Sequence, residues 1–550
     1  MQQTYLQVHP KDNVLAALQD LDSGTKIEWQ GSNFQLQEFI PAKHKFTVHS
    51  VSKGEGLYMY GVLVGAASQR IPRGSRISTE NTVHATQQFH TRQEKKTWIA
   101  PDVTKWQGRT FQGYHRADGS VGTMNYWLVI PLVFCENRNI EVMKTALLEP
   151  LGYATHHQFS VDTQQLIQKY QSGQTATDLL RASIIKDAKS IHQNRVFPNV
   201  DGIKFLTHEG GCGGTREDAD TLCRLLAAYI THPNVAGATV LSLGCQNAQI
   251  ELLQTAIDRI DPNFTKPLHI LEQQGSISER AFIEEAVKRT FVGLAAANEV
   301  TRQPAPLTKL SLGLECGGSD GFSGISANPT LGHTSDLLVA LGAKTILAEF
   351  PELNGVEQEL INRCEHPALA QKFSHLMRTY SERAEAVGSG FKNNPSPGNI
   401  KDGLITDAMK SAGAAKKGGT SPVVDVLDYT EIAQKSGLHL LCTPGNDVES
   451  TTGLAGAGAN LIVFTTGLGT PTGNPITPVI KMSSNTKLYE RMNDIIDFNA
   501  GTIISGLDSI SSKGEALLEY LIQVASGEQT PHAVRLGQED FIPWKRGVSL

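Results

Sequence analysis

Residues 309–324 read KLSLGLECGGSDGFSG, an apolar run followed by a cysteine and an aspartate among four glycines. An apolar run that ends in a glycine-rich loop is typical of a buried strand in an α/β sheet. The loop lacks the lysine of G-x-x-x-x-G-K-[ST], so the pattern disfavours a phosphate-binding P-loop. A metal-ligand loop at a strand end and a simple turn are the two interpretations left for this stretch.

The same order of apolar strand, polar loop and amphipathic helix recurs on both sides of it. GIKFLTHEGGCGG at 202–214 leads into one long helical pattern, and ATVLSLGCQN at 238–247 leads into another. Such repeats predict βαβ units and a mainly parallel sheet. PSPGNIKDG at 395–403 interrupts the pattern and NLIVFTTGLGTPTG at 460–473 resumes it, which predicts a second α/β lobe.

The start of the chain has a different pattern, with short pieces such as KIEWQG and HKFTVHSV that alternate polar and apolar residues between turns. Period-two alternation with frequent turns predicts a small, mostly β domain. We therefore expect an α/β multidomain protein with mainly parallel sheets. Its expected parts are a β domain at 1–90, a linker at 91–109, a central α/β catalytic domain at 110–394 and a C-terminal α/β domain at 395–550.

Composition limits the classes of partner and the location. The chain has 550 residues and a net charge of -6, so it has no positive field to attract nucleic acid or an anionic membrane. Its longest apolar run, 126–135, is about half of the roughly 20 residues that span a membrane, and its first residues lack a secretory pattern. We expect a cytoplasmic protein with a small-molecule partner and no nucleic-acid or membrane partner. The sequence leaves the oligomeric state open, with a homo-oligomer as one option.

Polar and thiol side chains collect in the loops after the apolar strands, where open α/β sheets bind their ligands. These residues are Cys135, His208, Cys212, Cys245, Cys316, Asp320, Glu349, Glu352 and Asp447. Cysteine, histidine and carboxylate together are the ligand set of iron or zinc sites. Packing is the alternative for each cysteine, because a thiol at a strand end often serves as a small hydrophobic group. The glutamates have surface or helix-capping roles as their alternative.

Two further regions carry candidate binding groups. In TTGLGTPTG, 465–473, the backbone amides are expected to hold an anion such as a substrate carboxylate, with a tight β-turn as the alternative. His44 and Lys45 lie near predicted strand ends and are candidate acid or base groups, although a lone histidine among strands is usually structural.

Many separate stretches, in this order, resemble the altronate and galactarate dehydratases over nearly the whole chain: HPKDNVLAAL, PAKHKFTV, GYHRADGSVGTMN, LSLGCQN, LGLECGGSDGFSGISANP, NPSPGN, TPGND, FTTGLGTPTGNPITPVIK and DFNAGTI. The resemblance implies a SAF-like N-terminal β domain and a hydro-lyase of hexuronate catabolism. It implies a divalent metal, Fe²⁺ with Mn²⁺ as the alternative. The implied reaction converts D-altronate to 2-dehydro-3-deoxy-D-gluconate and water, with galactarate as the alternative substrate.

In such an enzyme the candidate residues take three roles. The candidate catalytic groups are His44, Lys45, His208 and Asp320. The candidate metal ligands are His208, Cys212, Cys245 and Cys316. The candidate substrate-binding residues are Arg116, whose guanidinium can grip a carboxylate with two hydrogen bonds, and Asn125, Thr466, Gly467, Gly469 and Thr470.

Three positions depart from the pattern of that family: Gly210 in HEGGC, Gln246 after Gly244-Cys245, and Met124 before Asn125. They leave the choice of sugar acid open and are the support for one alternative function, a sugar-acid binding protein without catalysis. The thiols leave a second alternative, an iron–sulfur dehydratase that uses three of them as cluster ligands.

Overall fold

The computed structural model describes residues 3–90, 97–154, 159–187 and 194–549. The expected fold class is confirmed, because a small β region is followed by α/β regions whose main sheets are parallel. Among the described residues, no helix combines the length and the apolar character that crossing a membrane requires.

The N-terminal region consists of short antiparallel strands because polar and apolar residues alternate along it. The strands are β1 (Tyr5–Leu6), β2 (Val14–Ala17), β3 (Lys26–Trp29), β4 (Ser32–Gln35), β5 (Lys45–Thr47), β6 (Gly56–Met59), β7 (Val62–Ala67) and β8 (Thr82–Val83). They form the sheets β1-β2-β5, β3-β4 and β6-β7-β8. In β3, for example, the buried Ile27 lies between two exposed side chains.

Residues 91–96 of the predicted linker lie outside the described residues. The part at 97–109 contains a 3₁₀ turn, Thr104–Trp106, and packs on the helix Ile510–Ala525. Trp106 is buried and its Nε1 donates to Glu519 Oε1 at 2.9 Å. Arg109 Nη2 lies 3.1 Å from Glu519 Oε2. These contacts hold this part of the chain against the helix Ile510–Ala525.

The second region is built around a parallel sheet with the order β14-β11-β15-β16. Its strands are β9 (Thr110–His115), β10 (Val121–Gly122), β11 (Tyr126–Pro131), β12 (Phe159–Val161), β13 (Ile185–Asp187), β14 (Gly202–Phe205), β15 (Val235–Ser242), β16 (Leu268–Glu272) and β17 (Gln303–Pro306). Its helices are α1 (Asn137–Leu147), α2 (Thr163–Gln171), α3 (Ala176–Leu180), α4 (Arg216–Thr231), α5 (Ile250–Ile260) and α6 (Glu279–Ala297). β11 is buried along its whole length, as expected for a strand with helices on both faces.

The third region is built around a seven-stranded parallel sheet with the order β20-β21-β19-β18-β22-β23-β24. Its strands are β18 (Ser311–Cys316), β19 (Lys344–Leu347), β20 (Val423–Leu427), β21 (Gly437–Leu441), β22 (Leu461–Thr466), β23 (Val479–Ser483) and β24 (Phe498–Asn499). Its helices are α7 (Ala327–Ala340), α8 (Glu357–Arg363), α9 (Pro367–Ala386), α10 (Pro397–Lys401), α11 (Asp407–Ala414), α12 (Asp447–Gly456), α13 (Thr486–Arg491), α14 (Ile510–Ala525) and α15 (His532–Arg535). The central position of β18 places Cys316 at the middle of the carboxyl edge.

The seven-stranded sheet corrects the expected division at residue 395. β18 and β19 precede that residue and β20 to β24 follow it, so domains of 110–394 and 395–550 would cut through one sheet. The change from one parallel sheet to the other falls between α6 and β18 instead. The sequence pattern did not show this because the strands of both sheets have the same strand, loop and helix order. The limits 1–90 and 91–109 stay predictions.

Candidate active site

The loop after Cys316 leaves the centre of the seven-stranded sheet and passes close to other segments of the same chain. Gly317 N donates to Thr465 O at 3.1 Å. A side chain at Gly317 would overlap the carboxylate of Asp447 and the ring of Phe464. Glycine is therefore needed at this position, since only a bare backbone leaves room for both groups.

Two buried glutamates meet Cys316 at this edge. Cys316 Sγ lies 3.1 Å from Glu352 Oε2, and Cys316 N donates to Glu349 Oε2 at 3.1 Å. Glu349 has a φ of 66°, a left-handed conformation that is uncommon for residues other than glycine and clusters at functional sites. Burial raises the pKa of the Cys316 thiol, and the two carboxylates raise it further. The thiol is therefore protonated and donates to a carboxylate, and the glutamates are not surface groups.

Two lysines balance the charge of these carboxylates. Lys417 Nζ lies 2.8 Å from Cys316 Sγ and also donates to Glu349 Oε2. Lys410 Nζ lies 2.6 Å from Glu352 Oε1. Burial by itself lowers the pKa of Lys417, but the nearby carboxylates of Glu349 and Glu352 raise it well above its usual range. At Lys410 burial acts in the same downward direction and Glu352 raises the pKa. Both side chains are therefore ammonium groups.

A second set of carboxylates adjoins the first. Ligand atoms of Glu315, Glu349 and Asp447 all lie within 4.8 Å of one another. The buried Oε1 atoms of Glu315 and Glu349 have no hydrogen-bond partner among the described residues. Burial raises the pKa of Glu315 well above its usual range, and burial with the nearby glutamates raises the pKa of Asp447 to about 7. A divalent cation fits this set, because unpartnered carboxylate oxygens are suitable ligands for it.

A second trio, Cys316, Glu349 and Glu352, also has ligand atoms within 4.8 Å of one another. Lys417 and Lys410 already contact its sulfur and its carboxylate oxygens. A cation at that point would face two ammonium groups, so the trio of oxygen ligands is the better fit.

The N-terminal region reaches this part of the molecule through β5 and the turn before it. Lys45 is fully buried and its Nζ donates to Gly403 O at 2.8 Å. Burial lowers the pKa of Lys45 to about 7, with Asp320 acting in the opposite direction. His44 Nε2 lies 3.0 Å from Lys401 O, and its buried Nδ1 has no partner among the described residues. Burial also lowers the pKa of His44, so both predicted groups can be neutral near pH 7.

Asp320 is engaged through both of its oxygens. Its Oδ1 accepts from Ser323 N at 2.9 Å and from Ser484 Oγ at 2.7 Å. Its Oδ2 accepts from Asn485 Nδ2 at 3.2 Å and lies 3.1 Å from Lys43 Nζ. Asp320 thus joins the Cys316 loop to the N-terminal region, and its catalytic role stays a prediction.

The amides of the TTGLGTPTG loop hold other parts of the protein. Gly467 N donates to Gly318 O at 3.0 Å, and Gly469 N donates to Thr466 Oγ1 at 3.0 Å. These two amides are therefore used, in contrast to the expectation of free donors for an anion. A Cβ at Gly318 would lie 3.2 Å from the hydroxyl oxygens of both Thr466 and Thr470, so the two threonines do border the Cys316 loop. Their role in substrate binding stays a prediction.

The other predicted metal ligands belong to the four-stranded sheet. His208 is buried, its Nδ1 accepts from a backbone amide at 3.1 Å, and its Nε2 therefore donates to Pro131 O at 2.8 Å. Cys212 and Cys245 are exposed. Among the described residues no hydrogen bond joins any of these three to Cys316. The four predicted ligands are thus divided between two sheets, and both ring nitrogens of His208 are already used.

Arg116 and Asn125 lie at the opposite edge of that sheet. Asn125 directly precedes β11, whereas the candidate loops follow the carboxyl ends of the strands. Arg116 Nε donates to Pro233 O at 2.8 Å, and its Nη2 donates to Asn125 Oδ1 at 2.9 Å. Asn125 Nδ2 donates to Asn199 O at 2.8 Å. These contacts tie backbone segments together, and nothing in them supports the predicted contact with substrate.

The sequence patterns did not single out Glu315, Lys410 and Lys417. Each of them carried a signal, because each is a charged residue inside an apolar or alanine- and glycine-rich segment. The segments are SLGLEC at 311–316 and DAMKSAGAAKKGG at 407–419. A charged side chain in such a segment is either exposed or paired with an opposite charge in the interior. A paired interior charge is a candidate for a functional site.

A β region, two parallel α/β regions and buried acid, thiol and ammonium groups at a sheet edge are the organisation of an α/β enzyme that acts on a small molecule. Three family models match the chain in succession. They are the altronate/galactarate dehydratase SAF domain at 3–85, the second domain of D-galactarate dehydratase/altronate hydrolase at 113–298, and the C-terminal domain of D-galactarate/altronate dehydratase at 307–549. The last two meet where the structure changes from one sheet to the other.

Relatives match over the full length. The chain is 32% identical to an altronate dehydratase of Bacillus subtilis over 549 residues, 100% of both chains. It is 30% identical to the altronate dehydratase of Escherichia coli over 549 residues, 99% of this chain and 100% of that one. It is 31% identical to the galactarate dehydratase (L-threo-forming) of Escherichia coli over 531 residues, 96% of this chain and 93% of that one. The chain belongs to the altronate/galactarate dehydratase family, and the predictions of that family and of a hydro-lyase are confirmed.

Proposed function

We propose that this enzyme dehydrates a sugar acid at the edge of the seven-stranded sheet, converting D-altronate to 2-dehydro-3-deoxy-D-gluconate and water, with galactarate as the alternative substrate. The observation that carries the proposal is the set of unpartnered buried carboxylate oxygens of Glu315 and Glu349 beside the Lys417 ammonium group. Relatives named for altronate and for galactarate support the substrate class about equally, at 32% and 31% identity. We also propose that the enzyme acts in the cytoplasm and that its reaction belongs to hexuronate breakdown.

The reaction removes the proton from C2 and the hydroxyl from C3 of a 2,3-dihydroxy acid, and the resulting enol becomes a 2-keto-3-deoxy acid. Negative charge develops on the substrate carboxylate as the C2 proton leaves. A divalent ion, Fe²⁺ or Mn²⁺, held by Glu315, Glu349 and Asp447 would supply Lewis-acid stabilisation of that charge and of the departing oxygen. Lys417 contributes a fixed positive charge next to the same carboxylates, which lowers the energy of an anionic transition state.

Lys45 is the residue to which we assign removal of the C2 proton. A general base works best when its pKa lies near the working pH, and burial brings the pKa of Lys45 to about 7. The carbonyl of Gly403 holds this amine by a hydrogen bond, and the charge of Asp320 acts on it from a distance by raising its pKa. His44, with its unpartnered Nδ1, is the second candidate for the same role.

Parallel incubations test the reaction and the substrate together. The protein, reduced and supplied with Fe²⁺ or Mn²⁺ under argon, is mixed with D-altronate, galactarate and related aldonates, and formation of 2-keto-3-deoxy acid is followed. Product from altronate alone supports the proposal in full, and product from galactarate alone corrects the substrate. Bound sugar acid without product, with metal present, would replace the proposal by a binding protein.

Glu349→Gln tests the position of the site. The substitution keeps the shape of the side chain but removes one of the proposed metal ligands and the charge next to Lys417, so we expect a loss of turnover of at least about 100-fold. Glu357→Gln is the matched control, because Glu357 is also buried but accepts its hydrogen bond from the local Gly355 N at 2.7 Å. Equal turnover in the two variants would remove Glu349 from the site.

A further inference from the structure

The exposed cysteines of this chain all lie in loops at one edge of the four-stranded sheet. Cys135 follows β11, Cys212 follows β14 and Cys245 follows β15, and all three are exposed, whereas the other four cysteines are buried. Free cysteine is one of the residues most often buried. Three exposed thiols after three neighbouring strands therefore need a reason other than packing.

The three loops contact one another next to the cysteines. Phe134 N, beside Cys135, donates to Gly210 O at 3.1 Å, and Asn247 N donates to Gly211 O at 2.9 Å. The first bond joins the loop of β11 to that of β14, and the second joins the loop of β14 to that of β15. The backbones that carry the thiols thus form one connected cluster, centred on the loop with Cys212.

Glycines next to the cysteines make this approach possible. Gly211 has a φ of 95°, and a side chain on it would overlap the backbone at Leu132 and Val133 in the loop of β11. Gly244, directly before Cys245, has a φ of 122°. These are left-handed conformations that glycine adopts without strain. Glycines thus directly precede or neighbour two of the three cysteines, where a side chain would be strained.

The surroundings of these thiols differ from those of Cys316. Among the described residues, no lysine or arginine donates to the sulfur of Cys135, Cys212 or Cys245, whereas Lys417 donates to Cys316. The amide of Gln274 lies 3.3 Å from Cys245 Sγ and donates to it. A hydrogen bond from an amide suits a thiolate that binds a metal, since such outer hydrogen bonds orient and tune the ligand.

We propose that Cys135, Cys212 and Cys245 bind an iron–sulfur cluster. Thiolates are the usual ligands of such clusters, and three of them leave one iron with an open position. The three sulfur atoms do not all lie within 4.8 Å of one another in the described part of the chain. A single tetrahedral ion at about 2.3 Å from each sulfur requires separations of about 3.8 Å, so the arrangement is not that of a site for one such ion. The inference stands apart from the carboxylate site and from the choice of sugar acid.

Metal and sulfide analysis of the full-length protein tests the inference. The protein is purified without oxygen, reconstituted with Fe²⁺ and inorganic sulfide, and freed of unbound reagents; iron, acid-labile sulfide, visible absorption and the electron paramagnetic resonance of the reduced sample are then measured. We expect iron and sulfide in similar amounts. Cys135→Ser, Cys212→Ser and Cys245→Ser should each lose at least about 10-fold in bound sulfide.

Cys223→Ala is the matched control, because Cys223 is a buried thiol in α4 of the same region, and it should retain the full sulfide content. Circular dichroism of each variant shows whether it has folded. As a second measurement, iodoacetamide labelling of the native protein should be blocked at the three cysteines in the reconstituted sample and restored after iron is chelated. Equal sulfide in the native protein and the serine variants, iron without sulfide, or labelling that ignores reconstitution would each overturn the proposal.

Discussion

The two parallel sheets of this chain have the same strand, loop and helix order, yet their carboxyl edges differ in burial and charge. At the edge of the seven-stranded sheet, Cys316 is 1% exposed and lies against Glu352 and Lys417. At the edge of the four-stranded sheet, Cys212 and Cys245 are exposed, and no lysine of the described residues donates a hydrogen bond to their sulfurs. What covers a strand-end cysteine, more than the strand order, decides which chemistry it can take part in.

The N-terminal region accounts for part of that difference. Its segment at 43–45 contacts the seven-stranded sheet through the Lys43–Asp320 ion pair at 3.1 Å and through Lys45, which donates to Gly403 O at 2.8 Å. Burial of an amine without a carboxylate partner in direct contact lowers its pKa, and this is what happens to Lys45. Covering one sheet edge with the small β domain thus buries an amine that can be neutral near pH 7, which is what the proposed base requires.

Replacing Lys45 by Met should have the largest effect on activity. Loss of a general base costs about 10²–10⁴-fold in kcat/KM. In the native enzyme kcat/KM should rise as pH rises through about 7, because the neutral amine accepts the proton and the pKa of Lys45 is about 7. The variant should lack this rise. Lys53→Met, at an exposed lysine of the same region, serves as the control. A pH profile that is the same in the native protein and Lys45→Met would mean that the β domain covers the site without supplying the base.

Replacing Lys417 by Met should have the largest effect on stability. The change leaves Glu349 as a buried carboxylate without its ammonium partner, which should lower the free energy of unfolding by about 3–5 kcal/mol. Adding Glu349→Gln to this variant should recover part of the loss, because it removes the uncompensated charge. Urea unfolding of both single variants and the double variant measures the coupling.

An exposed ion pair provides the control for that cycle. Lys372 Nζ lies 2.7 Å from Glu431 Oε2 on the surface, and removing it should cost no more than about 1 kcal/mol. If Lys417→Met costs as little as Lys372→Met, the charges at the seven-stranded sheet are solvated and the contrast between the two edges is smaller than the buried contacts indicate.

The sequence was enough to predict the strand ends but not the neighbours of each strand-end residue. Cys316 and Glu349 were identified because each follows an apolar run, and local patterns report such runs. Lys417 contacts Cys316 across 101 positions of sequence, and no local pattern carries that pairing. The boundary between the two sheets was placed at residue 395 for the same reason, since the partners of a parallel strand are set by packing between distant segments. The hydrogen bonds of both His208 ring nitrogens to the backbone are likewise invisible in the sequence, where His208 is a candidate ligand because it lies in a strand-end loop with the thiols.

The smallest effects should separate the two kinds of cysteine. Cys316→Ala removes a buried thiol that donates to Glu352, so we expect a loss of about 1–3 kcal/mol in unfolding free energy. Cys212→Ser replaces an exposed thiol in metal-free protein and should change stability by less than about 0.5 kcal/mol. Urea unfolding of the two variants side by side measures this difference. If the two losses were equal, burial would not distinguish the two sheet edges, and the chemistry assigned to each would have to come from charge alone.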